Sequence, residues 1–241
     1  MVSTKINILY EDDFIVIIDK QAGMLSIPDR YRKDIPNLKT ILAEKYGQIF
    51  IVHRLDKETS GVMIFAKDAD SHRNLSMQFQ DNLPKRVYHV IVNGIFRKDE
   101  IEIDIPIISD PTNPSLSIPS ARGKDSKTLV KVIERFKNAT LLHCELITGR
   151  HHQIRVHCGA MGHSLLVDEI YGGGTAFFLS SVKRKYHKGK HQEEKPIISR
   201  VSMHSYELGI KHPSTNEEMN FISEYPKDIK ATINLLRKYS K

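Results

Sequence analysis

The chain has 241 residues, 40% of them hydrophobic, enough for one large domain or two small ones with a substantial core. No apolar run approaches the roughly 18 residues of a membrane span, and the two cysteines, Cys144 and Cys158, are too few for a disulfide framework. The net charge of +7 makes nucleic acid the first expected partner and an acidic membrane surface the second.

Residues 1–7 hold no signal-peptide core, so the expectation is a cytoplasmic protein with free thiols. Residues 6–10 and 14–18 are β-branched apolar runs separated by Glu11-Asp12-Asp13, which predicts an opening hairpin. Residues 21–24 turn again, and Pro28 ends the extended stretch. Asn37 caps a helix with Leu38, Ile41, Leu42 and Tyr46 at helical spacing and Gly47 as its stop. Apolar runs at 49–52 and 62–65 predict two buried strands that enclose a polar loop, residues 53–61. Asp70 or Ser71 caps a second helix with Leu75, Phe79 and Leu83 as its stripe, blocked by Pro84. Residues 85–93 alternate with apolar groups on both faces and predict a doubly buried strand.

Ile101, Ile103 and Ile105 alternate with acids, as on a half-exposed strand. Residues 110–123 read as a loop bearing Arg122, with Lys124 and Lys127 following. A second hairpin is expected from 128–136 and 140–147, then a break at Gly149 and a helix from about Arg150 to Gly162. On that helix His151, Arg155 and Gly159 would share a face. Gly172-Gly173-Gly174 opens a basic segment in which Lys183, Arg184, Lys185, Lys188, Lys190 and Lys195 oppose only Glu193 and Glu194. A last hairpin, 203–210 with 219–222, precedes a terminal helix over 226–239. Hairpins mixed with helices, without strand–helix alternation, argue for an α+β fold with a mixed or largely antiparallel sheet. With no repeat or linker, the expectation is a single domain over 1–241 with a basic insertion at about 174–199.

Three constellations could carry chemistry. His143, Cys144, His151, His152, His157, Cys158 and His163 lie close in sequence but match no zinc spacing, so no metal site is expected. Gly172–Gly174 lacks the Lys-Ser/Thr of a P-loop, and no serine sits in a nucleophile elbow. What remains is Asp56 in a loop of His, Arg, Lys, Glu, Thr and Ser, and the distant motif at 148–157. An aspartate among cations stays ionised, a competent nucleophile and a poor general acid. On a basic chain that suggests covalent or electrostatic chemistry on a nucleotide.

His53-Arg54-Leu55-Asp56-Lys57-Glu58-Thr59-Ser60-Gly61 resembles the catalytic signature of the RluA-type pseudouridine synthases. The resemblance runs along nearly the whole chain. Residues 8–13 through Ala22-Gly23 are similar to the family's opening hairpin, Lys85-Arg86-Val87-Tyr88 to its tyrosine motif, and 148–157 with Gly162-His163 and 168–172 to its third motif. It implies an isomerase that converts uridine in ribosomal or transfer RNA to pseudouridine. The implied fold is a mixed, mainly antiparallel sheet flanked by helices, with an RNA cleft.

In that resemblance Asp56 attacks C1′ or C6, or promotes a glycal. Tyr88 stacks on the base or takes a proton, and Arg155 pairs with Asp56. Arg54 fills the gap left by the flipped target. His53, Thr59, Arg150, His152 and Gln153 are the other implied substrate-binding residues. No cofactor or metal is implied, and the expected state is a monomer whose partner is RNA rather than a membrane. His151 stands where the family often has Thr, Gln21 and Ser164 where it often has Pro, and Val167 where Gly is common. The N-terminal RNA-binding domain of many relatives is expected to be missing. A non-catalytic RNA-binding or assembly protein is the alternative. A metal-dependent nuclease is disfavoured by the single carboxylate at the loop's centre.

Overall fold

The structure is a computed structural model that describes residues 6–32, 34–183, 186 and 193–239; Arg184, Lys185, Lys188 and Lys190 of the expected basic insertion lie outside them. In chain order the elements are β1 (Asn7–Glu11), β2 (Ile15–Lys20), α1 (Leu38–Tyr46), β3 (Phe50–Ile51), β4 (Ser60–Ala66), α2 (Ala69–Gln80) and β5 (Lys85–Asn93). There follow β6 (Glu100–Asp104), β7 (Ile107–Ser109), β8 (Ser117–Pro119), β9 (Lys127–Arg135), β10 (Ala139–Leu146), α3 (Gln153–Ala160), a short 3-10 turn (Leu179–Ser181), β11 (Met203–Lys211), β12 (Glu218–Ile222) and α4 (Lys227–Tyr239). The chain divides into two compact units, Met1–Val87 with His204–Glu224, and Tyr88–Met203 with Tyr225–Lys241.

In the first unit β1 pairs antiparallel with β2 and β2 with β4. Asp12 closes the opening turn: its Oδ1 accepts the amides of Phe14 and Ile15 at 2.8 Å each. The other edge of β4 is divided. Ser60 and Gly61 run parallel to His204 and Ser205 of β11, while Phe65 and Ala66 pair antiparallel with β3. On its far side β11 continues antiparallel with β12. Ile15, Ile17, Val62, Ile64, Ala66, Leu208 and Ile210 form the core with Leu75 of α2. Helix α1 follows its local code: Asn37 Oδ1 accepts the Thr40 amide at 3.0 Å, and Gly47 takes φ +77 beyond the last turn.

In the second unit β10 pairs antiparallel with β9 and β9 with β6, and β5 lies beside β10. Ile91, Leu141, Val167, Phe177 and Ile198 pack with Ile229, Ile233 and Leu236 of α4. The backbone bond from Phe177 to Ile198 ties the base of the expected insertion into that core. The α+β class with mainly antiparallel strands is as expected.

Several local readings are corrected. Asp68, not Asp70 or Ser71, caps α2, accepting the Ser71 amide at 2.8 Å. The helix ends at Gln80, and Asn82 at φ +55 turns the chain, so Leu83 is 66% exposed rather than part of the stripe. The stretch 110–123 is not all loop, because Ser117–Pro119 forms β8 against β7. Helix α3 begins at Gln153: His152 takes φ +56, a left-handed conformation that no helix continues through, so His151 and Arg155 are not helical neighbours.

Candidate active site

In the first unit the chain from Leu55 to Thr59 is held by Lys20, the last residue of β2, and by groups of the segment that follows it. Lys20 is 1% exposed, and its ammonium donates to the carbonyls of Thr59 at 2.7 Å, Lys57 at 2.9 Å and Gln21 at 3.2 Å. The Gly23 amide also donates to the Lys57 carbonyl at 2.9 Å. Ser26 holds Leu55 from both sides: its hydroxyl donates to the Leu55 carbonyl at 2.7 Å and accepts the Leu55 amide at 3.3 Å. Asp56 accepts the Thr59 amide on its own carbonyl at 3.1 Å, which closes the turn. The carboxylate of Asp56 is thus presented, half-buried, from a backbone with little freedom to move.

The strand that leaves the loop is anchored as firmly. Gly61 has φ +117, and a Cβ there would lie 2.1 Å from the Ser205 carbonyl oxygen, so only glycine permits the close approach of β4 and β11. Beside it Ser60 Oγ lies 2.9 Å from His204 Nδ1, and His204 Nε2 lies 3.0 Å from the Ser223 carbonyl. A carbonyl only accepts, so His204 carries its proton on Nε2 and the Ser60 hydroxyl donates to Nδ1.

The sequence-predicted loop residues divide by exposure. Arg54 is exposed. His53 faces inward: its ring stacks on Phe79 at 4.8 Å, and its Nε2 accepts the Ile64 amide at 3.2 Å. Burial, with the Arg86 guanidinium as a lesser cause, pushes its pKa down to about 3. Thr59 is 1% exposed, and its Oγ1 has no hydrogen-bond partner among the described residues. His53 and Thr59 therefore support the loop from inside rather than line its surface.

In the second unit Tyr88 sits on β5, 8% exposed. Arg155, on α3, forms a bidentate pair with Asp168: Nε to Oδ2 and Nη2 to Oδ1, each 2.7 Å, both residues buried. Its guanidinium also lies 4.8 Å from the centre of the Tyr171 ring. Asp168 Oδ1 accepts the amides of Ile170 and Tyr171, so one carboxylate fixes both the arginine and the following turn. The Tyr171 hydroxyl accepts the Ser117 amide at 2.9 Å and lies 2.9 Å from His152 Nδ1. The His151 ring stacks on His152 at 3.7 Å, and its Nδ1 lies 3.1 Å from Ser117 Oγ.

Gln153 is fully engaged with the protein. Its Oε1 accepts from Thr148 Oγ1 and the Arg150 amide, and its Nε2 donates to the Lys127 carbonyl and Thr128 Oγ1. The Thr128 hydroxyl donates onward to His157 Nδ1, whose Nε2 donates to the Ile105 carbonyl. Burial lowers the His157 pKa. Gln153 is thus a brace for the bend before α3, while Arg150 is exposed and His152 half-buried. Asp168 and Tyr171 were visible only as parts of a motif, and Ser117 gave no signal. Lys20 could have been noticed as a lone cation ending an apolar strand.

A family model described as RNA pseudouridylate synthase matches residues 14–160, which include Asp56, Tyr88 and Arg155. The dual-specificity RNA pseudouridine synthase RluA of Vibrio vulnificus is 35% identical over 215 residues, covering 87% of this chain and 79% of that protein. The ribosomal large subunit pseudouridine synthase D of Neisseria meningitidis serogroup B is 34% identical over 238 residues, 96% of this chain. The chain spans 61% of that relative's length. Among solved structures, human RNA pseudouridylate synthase domain containing 4 superposes with a TM-score of 0.71 at 21% identity, covering 96% of this chain and 93% of the other.

Proposed function

The chain belongs to the RNA pseudouridylate synthase family, and from that membership we propose that it isomerises uridine to pseudouridine in ribosomal or transfer RNA. The reaction breaks the N1–C1′ glycosidic bond and forms C5–C1′. The C5 proton leaves and N1 regains one, so nothing is oxidised or reduced. We assign Asp56 as the catalytic carboxylate, which attacks C1′ or C6 or promotes a glycal. Tyr88 stacks on the base or receives a proton, and Arg155, held by Asp168, is assigned as the catalytic arginine. Arg54, Arg150 and His152 are the proposed direct RNA contacts. His53, Thr59 and Gln153 act through the loops they hold. The two compact units serve as one catalytic domain in this reading.

The observation that carries the proposal is the fixed presentation of Asp56, with Lys20, Gly23 and Ser26 gripping the backbone on both sides of it. A binding protein has no need to immobilise one carboxylate in this way, whereas a nucleophile does. The test is a carbodiimide-based pseudouridine map of total RNA with and without the gene, followed by wild type and Asp56→Asn on the RNA so identified. Asp56→Asn is expected to lose about three orders of magnitude or more in rate while still binding RNA. Normal turnover by Asp56→Asn would remove the assignment. No helix among the described residues is long and apolar enough to cross a membrane.

A further inference from the structure

The segment that clasps the Asp56 loop continues into an exposed tip, Asp29-Arg30-Tyr31-Arg32, that neither the assigned chemistry nor the core uses. Tyr31 is 86% exposed, the most exposed large apolar side chain among the described residues. Arg30 and Arg32 on either side of it are exposed as well. The tip is shaped: Asp29 Oδ1 accepts the amides of Tyr31 and Arg32 at 2.9 and 2.8 Å. These bonds hold the Asp29 carboxyl below its ordinary pKa. Arg32 makes a surface pair with Asp34 at 3.3 Å, the two side chains 69% and 72% exposed. Such a pair is weak enough to open for a phosphate.

We infer that this tip is an RNA-binding site for a nucleotide flanking the target uridine, with Tyr31 stacking on a base and Arg30 and Arg32 taking the adjoining phosphates. The inference rests on the pseudouridine synthase reading. An exposed aromatic ring flanked in sequence by two exposed arginines suits single-stranded RNA: every base offers a π-face, and every linkage a charge. The position suits a flanking contact. Ser26, hydrogen-bonded to Leu55 next to Asp56, is five residues from Tyr31. Tyr31 therefore lies within about 18 Å of Ser26 along the chain.

The chain contains no tryptophan, so Tyr31→Trp introduces a single reporter. Titration with protein-free total RNA is expected to quench its fluorescence, while Met77→Trp, at a position 57% exposed on α2, stays unquenched. Tyr31→Ala should weaken RNA affinity about tenfold without shifting the thermal midpoint, and Tyr31→Phe should keep it within about twofold. Replacing both arginines with glutamine should flatten the log–log salt dependence by about 1.4, two phosphates on a single strand. Equal RNA affinity of wild type and Tyr31→Ala would overturn the site, leaving the exposed ring to a protein partner. Failure of the wild type to form pseudouridine in any fraction of total RNA would instead overturn the enzymatic reading, so the two failures are read separately.

Discussion

Lys20 Nζ lies 2.7 Å from the Thr59 carbonyl and 2.9 Å from that of Lys57, so one buried ammonium spans the turn that carries Asp56. No lysine is placed in a sealed interior for packing alone, because taking an ammonium out of water is costly unless its donors are used. Here the groups it bonds are backbone carbonyls, so the alignment does not depend on which side chains occupy positions 57 and 59.

Lys20→Met keeps the length and apolar stem but removes the donors. The Thr59 carbonyl loses its ammonium donor, at a cost of about 1–3 kcal/mol if it stays buried, while the Lys57 carbonyl keeps the Gly23 amide. The expected result is a thermal midpoint lowered by several degrees and a fall in single-turnover rate larger than the loss of RNA affinity. A variant with wild-type rate and stability would show that the loop holds itself.

Gly61→Ala tests the other end of the loop. An added Cβ meets the Ser205 carbonyl at 2.1 Å, and φ +117 is unfavourable for any residue with a side chain. Relief requires β4 and β11 to separate where Ser60 and Gly61 pair with His204 and Ser205. Destabilisation of more than about 3 kcal/mol is expected, measured by urea denaturation of purified protein, or seen as insoluble expression. A variant as stable as wild type would mean that the strand contact is not needed.

How much of this was legible before folding depends on how local each cause is. Helix α1 was readable because Asn37 and Gly47 act within one turn of themselves. The Asp56 loop was readable because two apolar runs bracket a dense polar stretch. The start of α3 was not, since nothing nearby announces that His152, rather than Gly149, takes the left-handed turn. Strand β8 has three residues and exists by pairing with β7 and by the bond of Ser117 to Tyr171, 54 positions away. The grip of Lys20 on Thr59 crosses 39 positions and has no local signature. Long-range hydrogen bonding, rather than pattern, is what decides which candidate residues face outward and which brace the loops.

The Arg155–Asp168 pair gives a third test. Both partners are buried and bonded twice, so removing one leaves the other desolvated and uncompensated. Asp168→Asn keeps the shape but withdraws the charge and one strong acceptor, with an expected loss of about 3–5 kcal/mol. Because Asp168 also accepts the Ile170 and Tyr171 amides, hydrogen exchange should quicken at those two amides before global unfolding. Screening does little to a buried pair, so the loss should persist in high salt. A loss that vanishes in 1 M salt would mark the pair as solvent-accessible.

The last test concerns acid. His53 is held neutral in the folded chain, with its pKa pushed down to about 3 from the ordinary 6.5. Below pH 6.5 the unfolded chain binds a proton at His53 that the folded chain refuses. Stability from this group is therefore complete above pH 6.5 and drains away as the pH falls toward 3, with a limiting slope of about 1.4 kcal/mol per pH unit for one proton. His157, also depressed by burial, adds in the same direction. His53→Gln offers an oxygen to the Ile64 amide and cannot titrate. Its unfolding free energy, measured by urea denaturation between pH 7.5 and 5, should fall less steeply than that of wild type. Above pH 7 it should be the less stable of the two, because the stack on Phe79 is lost. Parallel pH profiles for the two proteins would show that His53 takes up its proton in the folded state as readily as in the unfolded one.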